Sequence, residues 1–187
     1  MIDVTSATTT RTHDGYHHGD LPNALRRAAV EVIAERGVGG FSLREVARRA
    51  GVSHTAPAHH FGDMKGLLTS VAEEGFNALH DAMVESVRGV DDPVDRLIEL
   101  GRAYVTVAGT HRAHFEVMWR TDIIDTDNQA LTECGTAGYG VLEDTVRAVI
   151  EGEGLSVDLD EATWLCWSAI QGLLQLEPKI TLMSALH

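Results

Sequence analysis

The chain has 187 residues, enough for one domain of ordinary size or for a small domain joined to a moderate one. With 44% hydrophobic and 23% charged residues it can bury a sizeable core, and no segment approaches the roughly 18 apolar residues that a membrane span requires. The polar start has no apolar stretch typical of a secretory signal, and Cys134 and Cys166 lack the spacing of a disulfide framework. These features predict a cytoplasmic protein without a membrane partner.

The formal net charge of -13 is unevenly distributed. Residues 1–67 carry eight Lys/Arg and seven Asp/Glu, a net charge of +1, whereas residues 68–187 carry seven and twenty-one, a net charge of -14. Such an asymmetry suggests that the N-terminal part meets a polyanion and that the remainder does not. In so short a segment the charge alone decides little, because chance could produce the same difference.

Residues 1–15 are polar and without periodicity, and we expect them to form a disordered tail. Asp20 can cap a first helix that has Pro22 in its first turn, and the glycines at 37–40 end that helix. The next helix is predicted to begin at Ser42, because its S-x-x-E spacing with Glu45 forms a capping box.

The second helix is predicted to end at Gly51, where a left-handed backbone conformation suits glycine. Ser53 can cap a third helix, which Pro57 should keep short because proline has no N–H to donate. A helix, a tight turn and a second helix form the helix-turn-helix arrangement, whose second helix can enter the major groove of DNA. The alternative is an ordinary helical hairpin in a core. The polar residues of the third helix favour DNA binding: His54, Thr55, His59 and His60.

The remainder of the chain is predicted to form long helices, without strand-like alternation. Helices are expected at about 64–88, 91–109 and 128–150, with a short one around "HFEVMW". Three glycines in the helix at 128–150 predict a kink or a close helix contact: Gly135, Gly138 and Gly140. Asp158 with Glu161 caps a last helix, which Pro178 should end, so that the final helix after it is short. The fold class predicted is therefore all-α.

Residues 16–68 resemble the DNA-binding domain of the TetR family of bacterial regulators. The resemblance rests on the capped helix at 42–50, the A-x-x-x-G-V-S pattern at 47–53, His60-Phe61, and a lysine followed by Leu67-Leu68. "YHHGDL" at 16–21 and "WSAIQGL" at 167–173 resemble a subgroup with a W-x-x-x-H-G pattern, in which Gln171 replaces the histidine. The resemblance implies an all-helical homodimer. Its N-terminal three-helix domain binds DNA, and its larger helical-bundle domain dimerises and binds a small molecule that releases the DNA.

The resemblance also implies which residues meet DNA. Arg44 can donate two parallel hydrogen bonds to guanine, and hydroxyl groups can reach bases or phosphates. Ala58 and Met64 stand where the family usually has a tyrosine and a lysine, which leaves more of the phosphate contact to the remaining polar residues. The expected DNA-binding residues are Tyr16, His17, His18, Ser42, Arg44, Ser53, His54, Thr55, Ala56, His59, His60 and Lys65.

Aromatic and polar residues of the second part are candidates for a ligand pocket between helices, and core packing is the alternative for each. They are Tyr104, Phe115, Met118, Trp119, Tyr139, Trp164, Trp167 and Gln171. His111 and His114 have helical spacing but no second pair to complete a metal site, so no metal or cofactor is expected. The two cysteines are expected to be buried, inert thiols, with redox sensing as the alternative.

Together these observations predict a DNA-binding transcriptional regulator, with a DNA-binding domain at 16–66 and a ligand-binding and dimerisation domain at 67–187. We expect a homodimeric repressor that a small apolar or aromatic effector releases from a palindromic, double-stranded operator. One alternative is a helical protein-interaction module that uses the acidic helices. The other is an enzyme with a helical-bundle site, for which the sequence offers no nucleophile–base pair. We therefore expect no enzymatic activity.

Overall fold

The computed structural model describes the backbone of residues 21–184 and the side chains of residues 21–175. This part of the chain consists of eight α-helices and one 3₁₀ turn, with no strand, so the predicted all-α class is confirmed. The helices are α1 (Leu21–Arg36), α2 (Leu43–Ala50), α3 (Ala56–Phe61), α4 (Met64–Ser86), α5 (Pro93–Thr110), α6 (Arg112–Met118), α7 (Gln129–Glu153) and α8 (Leu159–Ser184), and the 3₁₀ turn is at Val38–Gly40.

Four helices begin at an Asp or Asn whose side-chain oxygen accepts a hydrogen bond from the backbone N–H three residues later. This bond satisfies one of the N–H groups that a helix leaves without a partner at its start. The pairs are Asp63 with Gly66 (2.9 Å), Asp92 with Asp95 (2.9 Å), Asn128 with Leu131 (2.9 Å) and Asp158 with Glu161 (3.0 Å). The predicted cap at Asp158 is therefore confirmed.

Helices α1, α2 and α3 pack together at the N-terminal end of the described chain, and α4 leads from them into the second half. Leu25, Val32 and Val46 are fully buried in this first group. In the second half α4 lies at the centre, against α5, α6 and α7, and α8 packs on α5 and α7. None of the described helices is both long enough and apolar enough to cross a membrane.

Helices α4 and α6 touch closely at Gly75. A Cβ atom there would lie 2.5 Å from the sulfur of Met118 and 2.9 Å from Cβ of His114, both on α6. Only a residue without a side chain fits this crossing, so α6 is held directly against the middle of α4.

Two predictions about the second half need correction. Helix α8 does not end at Pro178 but continues to Ser184, so the prediction of a short final helix is wrong. A proline removes one backbone hydrogen bond and crowds one carbonyl, and the turns on either side can keep the helix continuous. For the α7 glycines a kink or a close helix contact is predicted, and the close contact is absent, because a Cβ atom at Gly135, Gly138 or Gly140 would meet no neighbour within 4 Å.

Candidate DNA-binding surface and ligand cavities

Helix α2 begins and ends as its sequence predicts. The Ser42 hydroxyl accepts a hydrogen bond from the N–H of Glu45 (3.3 Å), although the Glu45 carboxylate bonds to Arg48 rather than closing the other half of the capping box. Gly51 has a positive φ of 69°, and the next residue, Val52, donates its N–H to the carbonyl of Ala47 (3.0 Å). This pairing ends the helix and turns the chain sharply towards α3.

Helix α3 has only six residues, which confirms that it is short. Its cap differs from the prediction: Thr55 precedes the first helical residue, and no side chain caps the helix. The Ser53 hydroxyl instead lies 3.2 Å from the Thr55 hydroxyl. Pro57 occupies the first turn, where the backbone N–H would have no partner in any case, and this moves the helix start two residues later than Ser53 predicts.

The three arginines of α2 differ in their partners. Arg48 donates to Glu45 (2.7 Å) and Arg49 donates to Glu35 of α1 (2.5 Å), which anchors α2 to its neighbour. The Arg48 guanidinium lowers the pKa of Glu45 to about 2, and the charges of Arg36 and Arg49 contribute to the same shift. Arg44 is exposed and has no carboxylate partner in the described part of the chain, so its guanidinium is available to an external group.

The structure brings several of the predicted DNA-binding residues to one surface. Ser42, Arg44 and His54 line a single groove where α2 meets the start of α3. Ser53, Thr55, His59 and His60 are exposed, whereas Ala56 is half-buried. Lys65 is also exposed and its ammonium lies 3.6 Å from the Asp125 carboxylate. Tyr16, His17 and His18 lie outside the described residues, as does the predicted cap at Asp20.

The second half of the molecule contains a cavity of about 310 Å³ between α4, α5, α7 and α8, which we call the aliphatic cavity. Tyr104 is one of its lining residues, and the hydroxyl of this side chain is buried. Burial raises the pKa of Tyr104 far above its usual range, and the nearby Gln171 acts in the opposite direction. The lining residues are Met83, Leu97, Leu100, Gly101, Tyr104, Leu142, Cys166, Trp167, Ala169, Ile170 and Leu173.

A second cavity of about 370 Å³ lies between α4, α6, α7 and α8, and we call it the aromatic cavity. Its volume is within the range of small-molecule sites. Five of its eight lining residues are aromatic, and the complete set is Phe76, Leu79, Trp119, Gly135, Gly138, Tyr139, Trp164 and Trp167. The rings contact one another at an angle, with centroids 5.1 Å apart for Phe76–Trp119 and 5.2 Å apart for Trp119–Trp167.

The predicted ligand residues are divided among these cavities. Tyr104 and Trp167 line the aliphatic cavity, while Trp119, Tyr139, Trp164 and again Trp167 line the aromatic one. Phe115 and Gln171 line a third, shallower space that also reaches Trp119, and Met118 lines none of the three because it packs against Gly75. Four residues of the aromatic cavity are not among the predicted ligand residues: Phe76, Leu79, Gly135 and Gly138. The glycine cluster is the only signal in the sequence for the two glycines, and it is equally compatible with a helix contact.

The remaining candidate groups are two cysteines and two histidines. Cys134 is buried as predicted, whereas Cys166 is only half-buried. Burial raises the pKa of both thiols, Cys134 and Cys166, and the charge of Glu73 adds to the effect at Cys134, so both thiols stay protonated at neutral pH. The rings of His111 and His114 lie 5.6 Å apart. Within the described residues no three His, Cys, Asp or Glu side chains come together in a metal-binding arrangement.

Helix α6 connects the two halves of the molecule. The Glu116 carboxylate accepts a hydrogen bond from the backbone N–H of Val38 (2.8 Å), in the turn after α1. Arg26 of α1 also forms an ion pair with Glu74 of α4 (2.5 Å), whose other oxygen lies 3.7 Å from Nε2 of His114 on α6. Burial opposes the ionisation of Glu74, but His114 and Arg26 together lower its pKa.

The helical fold and the exposed α2–α3 surface define the class as a helix-turn-helix DNA-binding protein with a helical second domain. The family model "Bacterial regulatory proteins, tetR family" matches residues 25–71, and that of the "Tetracyclin repressor-like, C-terminal domain" matches residues 97–182. The chain belongs to the TetR family of bacterial transcriptional regulators and is itself a DNA-binding regulator.

Individual proteins are similar to this chain in sequence or in fold. The HTH-type transcriptional regulator CymR of Pseudomonas putida is 24% identical over 153 residues, which cover 80% of this chain and 75% of the relative. A protein of unknown function from Rhodococcus sp. RHA1 has a similar structure, with a TM-score of 0.77 and 30% identity over 89% of this chain and 87% of the other. The TetR family regulator PfmR of Thermus thermophilus shares the fold at 20% identity, with a TM-score of 0.68 over 81% and 84% of the two chains.

We expect Gly138→Ala to stabilise the protein by about 0.5–1 kcal/mol, because alanine favours the helix and no atom lies near the added methyl group. Urea denaturation measures this change in the free energy of unfolding. Gly75→Ala is the matched control, since the same methyl group there would collide with Met118 and should destabilise the protein. Equal effects of the two substitutions would contradict the open wall at Gly138.

Proposed function

We propose that this regulator is a repressor that binds a palindromic operator as a homodimer and is released when a small apolar or aromatic effector enters the second domain. The proposal rests on one observation. The same chain has an exposed helix-turn-helix surface that carries an arginine, and it has apolar cavities of ligand size beside the long helix α4. The domain division at residues 16–66 and 67–187 is part of the same proposal.

The α2–α3 surface has the features needed to recognise a particular DNA base sequence. Arg48 and Arg49 are tied to carboxylates within the protein, whereas Arg44 is exposed without such a partner in the described chain. An unpaired arginine at the first turn of a helix can form the two-bond contact with guanine that is common in specific DNA recognition. The hydroxyl groups of Ser42, in the same groove, and of the exposed Thr55 suit phosphate contacts that position the helix.

The surface of α8 supports dimerisation. Leu165 and Leu173, about two turns apart on one side of α8, are 71% and 48% exposed, although leucine side chains usually lie inside a protein. An apolar helix face of this kind favours burial against a second copy. A twofold dimer would present two copies of α3, the recognition helix that would enter the major groove, to symmetric half-sites. The continuation of α8 to Ser184 lengthens the helix available to such an interface.

Helix α6 supports a coupling between effector and DNA. Trp119, directly after α6, lines the aromatic cavity, while Glu116 on the same helix holds the turn that follows α1. An effector that displaces Trp119 would therefore act on a segment bonded to the DNA-binding half. Because linkage is reciprocal, an effector that weakens DNA binding must itself bind the DNA complex less tightly, by the same factor.

The direct test is footprinting on DNA that flanks the protein's own gene. We expect protection of a palindromic sequence with half-sites about one helical turn, roughly 34 Å, apart. Protection that extends along any DNA without preference would contradict a sequence-specific operator. A stable complex with another protein, together with no DNA protection, would favour the interaction-module alternative.

Arg44→Ala is expected to weaken operator binding by about 1–3 kcal/mol and to relax the base preference at one position in each half-site. Electrophoretic mobility shifts on the operator and on its single-base variants measure both effects. Lys65→Ala should instead weaken binding to all sequences alike, because a lysine at this position suits a phosphate. An unchanged base preference in Arg44→Ala would assign Arg44 to a phosphate contact or to none.

A further inference from the structure

The aromatic cavity differs from the aliphatic cavity in the chemistry of its wall. Aromatic rings form most of this wall. They make a continuous cluster, because the ring of Tyr139 also contacts those of Trp164 and Trp167, with a centroid distance of 6.2 Å in both pairs. Since Trp164 is 60% exposed and Trp119 is 37% exposed, the cavity is reached from solvent on their side. The electron-rich faces of such rings attract cations, and tryptophan does so most strongly.

The aromatic cavity has no basic residue in its wall and has carboxylates nearby. Glu143 lies one helical turn after Tyr139 on α7, and Asp160 lies one turn before Trp164 on α8, so each carboxylate neighbours a lining residue. Burial and the negative charges of Asp160 and Glu143 raise the pKa of Tyr139. Glu143 is neutralised by an ion pair with Arg147 (2.6 Å), but Asp160 has no cationic partner within the described residues. An uncharged ligand gains nothing from this negative potential, whereas a cation does.

We propose that the effector is an organic cation, an amine or quaternary ammonium with apolar substituents, whose charge lies against the rings of the aromatic cavity. This inference rests on the proposed function, because it identifies the chemical class of the effector of that regulator. The aliphatic cavity shares Trp167 with the aromatic one, so it can receive an apolar arm of the same molecule.

The test uses two probes of the same shape. The full-length protein is titrated with phenyltrimethylammonium and with tert-butylbenzene, its neutral counterpart, and binding is followed by tryptophan emission and by calorimetry. All three tryptophans of the chain line the aromatic cavity, so a ligand there must change their surroundings. We expect the ammonium to bind at least about tenfold more tightly than the hydrocarbon, although the ammonium loses more hydration on binding. Equal or tighter binding of the hydrocarbon, or no binding of the ammonium, would overturn the proposal.

Two pairs of variants locate the cation. Tyr139→Leu removes a ring and is expected to weaken ammonium binding about fivefold or more, while Tyr139→Phe keeps the ring and should change binding by no more than about twofold. Asp160→Asn should weaken the binding of the ammonium about threefold and leave that of the hydrocarbon unaltered. Glu151→Gln is the control, since Glu151 lies about 20 Å along α7 from Gly138. Equal losses in the two Tyr139 variants would exclude a role for the ring.

The failure of this inference can be separated from a failure of the proposed function. If the protein binds no operator, the repressor proposal fails whatever the titration gives. If the operator complex forms and the ammonium binds the free protein without dissociating that complex, the cavity holds cations but does not receive the effector, and the inference is wrong. Release of the operator by the ammonium and not by the hydrocarbon is the expected result.

Discussion

Operator affinity is expected to fall by about three to five orders of magnitude when the salt concentration rises from about 50 to about 200 mM. A fall of this size follows when a dimer neutralises roughly six to ten phosphates and so releases the ions condensed on them. The acidic second half, with its net charge of -14, repels DNA, and salt screens this repulsion as well. That screening offsets only a small part of the fall, because the acidic helices lie farther from the phosphates than the α2–α3 surface does.

This prediction is measured by titrating labelled operator at several salt concentrations and plotting the logarithm of the affinity against that of the salt concentration. Unrelated DNA of the same length is the control, and it should show a similar slope at much lower affinity, because phosphate contacts do not depend on sequence. A flat response on the operator would mean that the α2–α3 surface makes few phosphate contacts, and the proposed mode of binding would be wrong.

Gly66→Ala is expected to destabilise the protein by about 3 kcal/mol, because a Cβ atom at this position would overlap the carbonyl oxygen of Phe61, which is backbone and cannot rotate away. The N–H of Gly66 is also bonded to the capping carboxylate of Asp63 (2.9 Å), which fixes the first turn of α4 where α3 joins it. Removing the clash would therefore require the recognition helix to move relative to α4, and we expect operator binding to be lost as well.

The free energy of unfolding in urea and the operator affinity of the folded fraction measure these two effects. Gly109→Ala is the matched control, because Gly109 lies in α5 and an added Cβ would meet no atom within 4 Å. That variant should be as stable as the wild type or up to about 1 kcal/mol more stable. A Gly66→Ala protein with unchanged stability would show that α3 and α4 can separate at little cost.

The boundaries of α2 can be predicted from the sequence because their causes are local. The side chain of Ser42 and the left-handed backbone at Gly51 act within a few residues of themselves, so the chain contains all the information needed to place this helix. The start of α3 is harder to place. Ser53 and Thr55 can both precede a helix. The helix starts after Thr55, because this start places Pro57 in the first turn, where proline is favoured.

The candidate sites depend on distant contacts and are only partly predictable. The spacing of the α2 arginines cannot show that Arg49 meets Glu35 of another helix while Arg44 meets no carboxylate in the described chain. The glycines of α7 present the same difficulty, since a missing side chain permits either a close contact or an open space. Only the packing of α4 and α8 around α7 shows that Gly135 and Gly138 border a cavity.

The uninterrupted length of α4 has a geometric consequence for the whole molecule. Its 23 residues span about 35 Å, from the end of the recognition helix to the walls of both cavities. A tilt of about 10° about the cavity end would displace the other end by about 6 Å, which is about half the width of a major groove. In a twofold dimer the second copy would undergo the same displacement. A small rotation of α4 at its cavity end can therefore change the separation of the two recognition helices by more than the DNA tolerates.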